Sequence, residues 1–376
     1  MREIIKHRGT NGEFSLVALH EGRGSSKFSI NGTSPENWAG NRICYVSMPY
    51  FDLKRDVLCA ELWVCATDLS DAHKITDVRA GRHNAVEASW VDDERIAYVS
   101  REGPDGHSIF VVDSTNGEVL YGPIFGRICH QARKHLVAFG VTPETALANH
   151  LYEEIQKAGI YTLDCDSGEI RLVIPTDKMH AAFQTAGLTL TNHAYSMSHV
   201  QINPSATRVM AMWTLAEYRV ICSCDMEGGD IRIVHKKPVH QIWFDEESYL
   251  ATYDDRTDPD RKLGKQQMYR YSLDGEILEY IAGLGNHVDA SPDRNWFVTD
   301  SLNHSNPVSL YLFQRGHHEP FVQLDSHRFT HLTWETSVHA NPTFSRDGTR
   351  VYFTRPADPI TAKAYFIDIS SIVASS

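Results

Sequence analysis

No window of about 18 apolar residues occurs in the chain, so no segment reads as a membrane-spanning helix. Basic residues are the minority: 36 Lys and Arg stand against 48 Asp and Glu, a net charge of −12. Phosphate backbones are bound by basic faces, so this balance argues against nucleic acid as the main partner. A small anionic substrate stays open, because a local Arg, Lys or metal overrides the global field. Cysteine is sparse, odd in number and irregularly spaced: Cys44, Cys59, Cys65, Cys129, Cys165, Cys222 and Cys224. Several sit inside apolar runs such as Leu62-Trp-Val-Cys65. That usage reads as reduced, buried thiols. Cys222 and Cys224 alternate along a strand-like run and read as core rather than as metal ligands. The stretch Met1 to Gly12 is charged and polar, without the apolar core of a signal peptide. A cytoplasmic protein is therefore the expectation.

Helix signals are also few. The one convincing amphipathic stretch runs from Pro143 to Ala158, where Leu147, Leu151 and Ile155 recur at helical spacing. Elsewhere short period-two runs alternate with turn clusters, as in Arg95-Ile-Ala-Tyr-Val99, Ser108-Ile-Phe-Val-Val112 and then Ser114-Thr-Asn-Gly117. Such a chain is all-β and built from hairpins. Aligning the runs exposes a repeat. Its clearest openers are Asp289-Ala-Ser-Pro-Asp-Arg-Asn-Trp and Pro342-Thr-Phe-Ser-Arg-Asp-Gly-Thr. Units open near Asn41, Ala88, Ile128, Val200, Ile242, Asp289 and Pro342. Third strands follow at Glu61–Cys65, Ser108–Val112, Gly159–Leu163, Gln267–Tyr271, Ser309–Phe313 and Ala364–Asp368. Short strands repeating about every 40 to 50 residues are the signature of a β-propeller, here a single seven-bladed domain with one short helical insert. Glu13-Phe-Ser-Leu-Val-Ala18 is the candidate for a strand that closes the ring onto the last blade.

Histidine is the compositional oddity, with 20 residues. His83, His130, His199, His240, His287 and His339 all fall just before or at the start of a blade opener. In a propeller the first strand of each blade lines the central channel. Residues at one repeat position therefore converge on the axis despite their separation in sequence. A ring of imidazoles at one channel mouth can serve metal binding or acid–base chemistry. A single histidine there could equally cap a strand; the repetition favours a site. His73, His317, His318 and His327 fall in polar turns and read as solvated.

Three stretches carry a resemblance over residues 199 to 370. Val239-His-Gln-Ile-Trp-Phe244, Asn286-His-Val-Asp-Ala-Ser-Pro-Asp293 with Phe297-Val-Thr-Asp300, and Val338-His-Ala-Asn-Pro-Thr-Phe-Ser345 are similar to motif segments of the oligogalacturonate lyases, seven-bladed propeller polysaccharide lyases. The resemblance implies that His240 is the proton acceptor, Arg219 the catalytic arginine, and His287 and His339 metal ligands. The family pattern Gln-x-x-His-x-His-Pro appears here with Thr336 for Gln and Asn341 for the second His. Asn341 ligates through its amide oxygen, which suits a hard cation. The implied cofactor is a divalent metal, Mn²⁺ first, with Ca²⁺ or Zn²⁺ as alternatives. The implied partner is a uronate-containing oligosaccharide, with His83, His130, Tyr195, His199 and Tyr218 as candidate substrate contacts.

Lyase cleavage of a uronate removes the C5 proton, α to the carboxylate, and expels the C4 oxygen. The site must neutralise the carboxylate, by a cation or by bidentate Arg pairing, and supply a base near neutral pKa. Two rivals stay open on the sequence. One is a hydrolase or ulvan-type lyase on the same fold, using a His and Tyr pair without the metal. The other is a non-catalytic binding propeller.

Overall fold

The computed structural model describes residues 4–9, 12–19, 25–28, 32–48, 58–80, 86–103, 106–128, 131–188, 195–215, 218–234, 238–253, 267–302, 307–328, 339–358 and 361–374. They form a seven-bladed β-propeller. The chain begins with β1 (Ile4–Gly9) and β2 (Gly12–Ala18). Blade 1 is β3 (Ser25–Lys27), β4 (Arg42–Met48), β5 (Leu58–Ala66) and β6 (His73–Ala80). Blade 2 is β7 (Ala88–Trp90), β8 (Arg95–Ser100), β9 (Ser108–Asp113) and β10 (Val119–Phe125). Blade 3 is β11 (Arg127–Ile128), β12 (Leu136–Val141), β13 (Gly159–Asp164) and β14 (Ile170–Pro175), with α1 (Pro143–Ala148) inserted. Helix α2 (Thr176–Thr185) leads to blade 4, which is β15 (Tyr195–Ile202), β16 (Arg208–Leu215), β17 (Tyr218–Asp225) and β18 (Arg232–Val234). Blade 5 is β19 (Pro238–Trp243), β20 (Ser248–Tyr253), β21 (Gln267–Ser272) and β22 (Ile277–Ala282). Blade 6 is β23 (Val288–Ala290), β24 (Trp296–Asp300), β25 (Val308–Gln314) and β26 (Val322–His327). Blade 7 holds β27 (Thr343–Phe344), β28 (Arg350–Pro356) and β29 (Ala362–Asp368), and α3 (Ser370–Val373) ends the described chain.

Burial falls from the second strand outward. In β8 the pattern Arg95-Ile-Ala-Tyr-Val-Ser100 is buried at five successive positions, because neighbouring blades cover both faces. The outer strand β10 opens with Val119 and Leu120 exposed. Blades stack through apolar seams, such as Trp90, Ile96 and Tyr98 of blade 2 against Val46, Leu62 and Val64 of blade 1. Tight turns allow that stacking. Gly117, at φ +74°, brings its Cα so close to blade 1 that a Cβ would meet the Ile75 carbonyl oxygen at 2.3 Å, a place only glycine fills.

The ring closes as the sequence suggested. Strand β2 pairs antiparallel with β29, Leu16 opposite Ile367 and Ala18 opposite Tyr365, and β1 adds a fifth strand. N- and C-terminal segments thus share one sheet, which leaves the ring without an open seam.

Three expectations need correction. The first blade's inner strand is Ser25–Lys27, and the opener placed near Asn41 is its second strand, Arg42–Met48. The longer, more apolar second strand outweighs a three-residue polar first strand in any pattern search. The helix expected over Pro143–Ala158 stops at Ala148. Asn149 ends it by donating to the carbonyls of Thr145 and Phe125, at 2.8 Å each, and by accepting from Phe125 N. That pin turns Thr145 and Ala146 inward and leaves Leu147 86% and Leu151 69% exposed. Finally, His327 is buried rather than solvated: Nδ1 lies 2.8 Å from Asp325 Oδ2, and Arg355 Nη1 donates to Asp325 Oδ1 at 2.7 Å.

Candidate functional site

Every inner strand starts at the same end of the channel, because each blade is an antiparallel meander whose outer strand returns to that end. Four histidines from blades 4 to 7 meet there. Ring centroids run His199 to His240 at 6.5 Å, His240 to His287 at 4.5 Å and His287 to His339 at 4.9 Å.

Two of the four are aimed by β-bulges. In β15 the register steps from Ser198 opposite Met212 to Gln201 opposite Met210, so His199 and Val200 together face Ala211. Strand β19 repeats the device: Val239 pairs with Thr252 and Ile242 with Leu250, leaving His240 and Gln241 against Ala251. Both bulged histidines have positive φ, +53° for His199 and +55° for His240. That conformation is uncommon for a residue with a side chain and recurs where a bulge re-aims a functional group.

Hydrogen bonds fix the rings. His240 Nδ1 lies 3.0 Å from the Asn286 carbonyl oxygen, which accepts only from N–H. Neutral His240 therefore carries its proton on Nδ1 and its lone pair on Nε2. Thr252 Oγ1 donates to the same carbonyl at 3.3 Å, tying blade 5 to blade 6. His287 is 2% exposed, and its Nδ1 lies 2.7 Å from Oδ2 of the fully buried Asp300. His339 Nδ1 lies 3.1 Å from His287 Nε2. His199 Nδ1 lies 3.0 Å from Ser198 Oγ. Burial, then the adjoining His287 and His199, and last Arg219 hold His240 well below the ordinary imidazole pKa, against the raising hydrogen bond to Asn286. His240 is thus a neutral imidazole at pH 7, fit to accept a proton.

Arg219 is exposed, second in β17 opposite Thr214, at the same end as the histidines. Tyr195 and Tyr218 begin β15 and β17 at that end, each opposite Leu215. Asn341 is buried, with φ +43°, two residues beyond His339. His83, His130 and Thr336 lie outside the described residues. Among the described residues no group of three or more His, Cys, Asp or Glu side chains is placed to hold a metal ion. The pair that faces itself is His287 and His339. With metal–nitrogen bonds of about 2.1 Å, two ligands at right angles lie about 3 Å apart, so this pair can present two nitrogens to one cation.

Sequence reasoning missed Asp300 and Asn286 as members of the site. Asp300 ends β24 directly beside the segment that carries His287, and Asn286 N donates to its carbonyl at 3.0 Å. The signal was the buried acid closing Phe297-Val-Thr-Asp300, a polar end to an apolar strand. It missed α2 too, which packs Phe183 edge-on against Trp213 with centroids 5.6 Å apart on blade 4.

No protein-family model matches the chain, and no curated protein sequence does. Solved structures do. An oligogalacturonate lyase in complex with manganese aligns with a TM-score of 0.66 at 15% identity, over 99% of this chain and 98% of its own. An oligogalacturonate lyase from Vibrio parahaemolyticus aligns at 0.65 and 13% identity, over 98% and 97%. A puromycin-hydrolyzing peptidase of Mycobacterium tuberculosis reaches 0.52 at 14% identity, over 90% of this chain but 51% of its own. At these identities the likeness is one of fold. Over its whole length, the chain has the seven-bladed propeller fold of the oligogalacturonate lyases.

Proposed function

We propose that the protein is a cytoplasmic carbon–oxygen lyase that cleaves a uronate-containing oligosaccharide by metal-assisted β-elimination, with His240 as the base. The observation that carries this reading is the convergence of four histidines on one channel mouth, with His240 locked in the tautomer that offers Nε2. The free cysteines fit a reducing compartment.

His287 and His339 would hold a divalent cation, with Asn341 as a third donor. The manganese named with one fold neighbour supports Mn²⁺. Asp300 fits this role from behind: a carboxylate on the far nitrogen of a ligating imidazole fixes its ring and raises its basicity. Bound, the cation acts as a Lewis acid toward the substrate carboxylate and acidifies the neighbouring C–H.

The remaining work falls to the chain. Arg219 pairs with the carboxylate and holds the sugar with C5 facing His240. His240 Nε2 takes the C5 proton, the C–H electrons form the C4–C5 double bond, and the C4–O bond breaks toward the leaving sugar. His199, at the other side of His240, is the nearest candidate to donate a proton to the departing oxygen. Tyr195 and Tyr218 flank the same mouth, where they would contact neighbouring sugar units.

The test is a panel of uronate oligomers incubated with the Mn²⁺-loaded protein. A lyase leaves an unsaturated product that absorbs in the ultraviolet. Reducing ends without that absorbance would make the protein a hydrolase, and neither signal would make it a binding propeller.

A further inference from the structure

At the other end of the channel, the turns that join first to second strands enclose a cavity of about 430 Å³, within the size range of small-ligand pockets. Trp38 comes from the β3–β4 turn, Arg133 from β11–β12, Arg294 from β23–β24 and Arg346 from β27–β28. Trp38 is fixed by donating Nε1–H to the Val91 carbonyl at 3.0 Å. Both Arg133 and Arg346 lie over its ring, their guanidinium carbons 5.3 and 4.0 Å from the centroid.

Two guanidinium groups held over one indole repel each other, and a bound anion relieves that repulsion. Among the described residues neither makes an ion pair; Arg346 donates Nε to the Asn37 carbonyl at 3.4 Å and Nη2 to the Glu36 carbonyl at 3.3 Å and faces the Gln131 amide oxygen, whereas the buried Nε of Arg133 has no hydrogen-bond partner. The two nearby acids are committed elsewhere. Glu36 accepts from Tyr352 Oη at 2.5 Å and from Arg346 N at 2.7 Å. Asp289 accepts from Thr343 Oγ1 at 2.6 Å and Phe344 N at 2.9 Å. Burial raises the pKa of both carboxyls, against the hydrogen bonds they accept. Burial and the neighbouring Arg133 push Arg346 down to about 10, against the raising influence of Glu36 and Asp289. Arg294, stacked on Phe244 at 5.5 Å, adds a third positive charge to the lining.

We propose that this end of the channel is a second binding site, for a small oxyanion whose carboxylate or phosphate binds at Arg133 and Arg346. Guanidinium forks match the oxygens of either group bidentately. The inference stands apart from the lyase reading, since it uses none of the histidines.

Titration calorimetry on the whole protein at low salt tests it, with inorganic phosphate, a hexose 6-phosphate and a monomeric hexuronate as probes. At least one should bind at millimolar concentration or below, and the order among the three separates phosphate from carboxylate ligands. Arg133→Gln should weaken that binding about ten- to a hundredfold, the loss of charge-assisted hydrogen bonds. Arg133→Lys, which keeps the charge and the stack but not the fork, should fall between. His240→Ala should bind as the wild type does. Absence of binding by all three probes would overturn the proposal. So would binding that Arg133→Gln leaves intact, or that His240→Ala abolishes.

Discussion

His240 combines three features that seldom coincide: positive φ, a buried carbonyl on Nδ1 and imidazole neighbours on both sides. Arg219→Ala should raise KM, because the carboxylate it would hold is present in the ground state, and lower kcat, because that carboxylate gains negative charge in the transition state; steady-state kinetics on the cleaved oligomer reads the split. Asp300→Asn keeps the shape but turns the acceptor behind His287 into an amide. Metal titration of that variant should show Mn²⁺ affinity about 10- to 100-fold weaker, with the fold retained. The thiols give a further residue-scale prediction. Burial pushes Cys44, Cys65, Cys165 and Cys224 up to about 12, whereas Cys59 is exposed. Brief alkylation of the native protein should therefore label Cys59 and spare those four, as peptide mass mapping reads directly.

At the scale of elements, two devices matter most: the bulges in β15 and β19, and the closing strand β2. The bulge asks residue 240 for a conformation that costs a residue bearing a Cβ about 1–2 kcal/mol. His240→Gly should thus be about 1 kcal/mol more stable than His240→Ala in urea denaturation, though both lack the base. Equal stability would mean that the bulge relaxes once the imidazole is gone. Closure by β2 rests on Leu16, fully buried opposite Ile367 and packed among residues of blades 6 and 7. Leu16→Ala should cost about 2–5 kcal/mol, the range for a core leucine whose cavity stays open. A loss below about 1 kcal/mol would show that the strand adds little to the ring.

At the scale of the whole molecule, the fold was legible because a propeller repeats itself. Seven imperfect copies average out local ambiguity, and the third strands, apolar and framed by turns, stood clear at six positions from Glu61 to Asp368. The first blade's inner strand was not legible, since Ser25-Ser-Lys27 is short and polar and gains its burial from the ring around it. The four clustered histidines were readable from their shared repeat position. Asp300 was signalled only as an acid ending an apolar strand, and Asn286 not at all, because their roles arise from pairing between strands β23 and β24 and from contact between blades 5 and 6. The Leu147 and Leu151 stripe misled because a single side chain, Asn149, outbid it. The central claim is that His240 takes a proton in an elimination. The measurement that tests it most directly is the ultraviolet absorbance of unsaturated product, released from a uronate oligomer by wild type and by His240→Ala, both loaded with Mn²⁺. The account predicts a rate about 10²–10⁴ times lower for the variant. Turnover within a few-fold of wild type would contradict it.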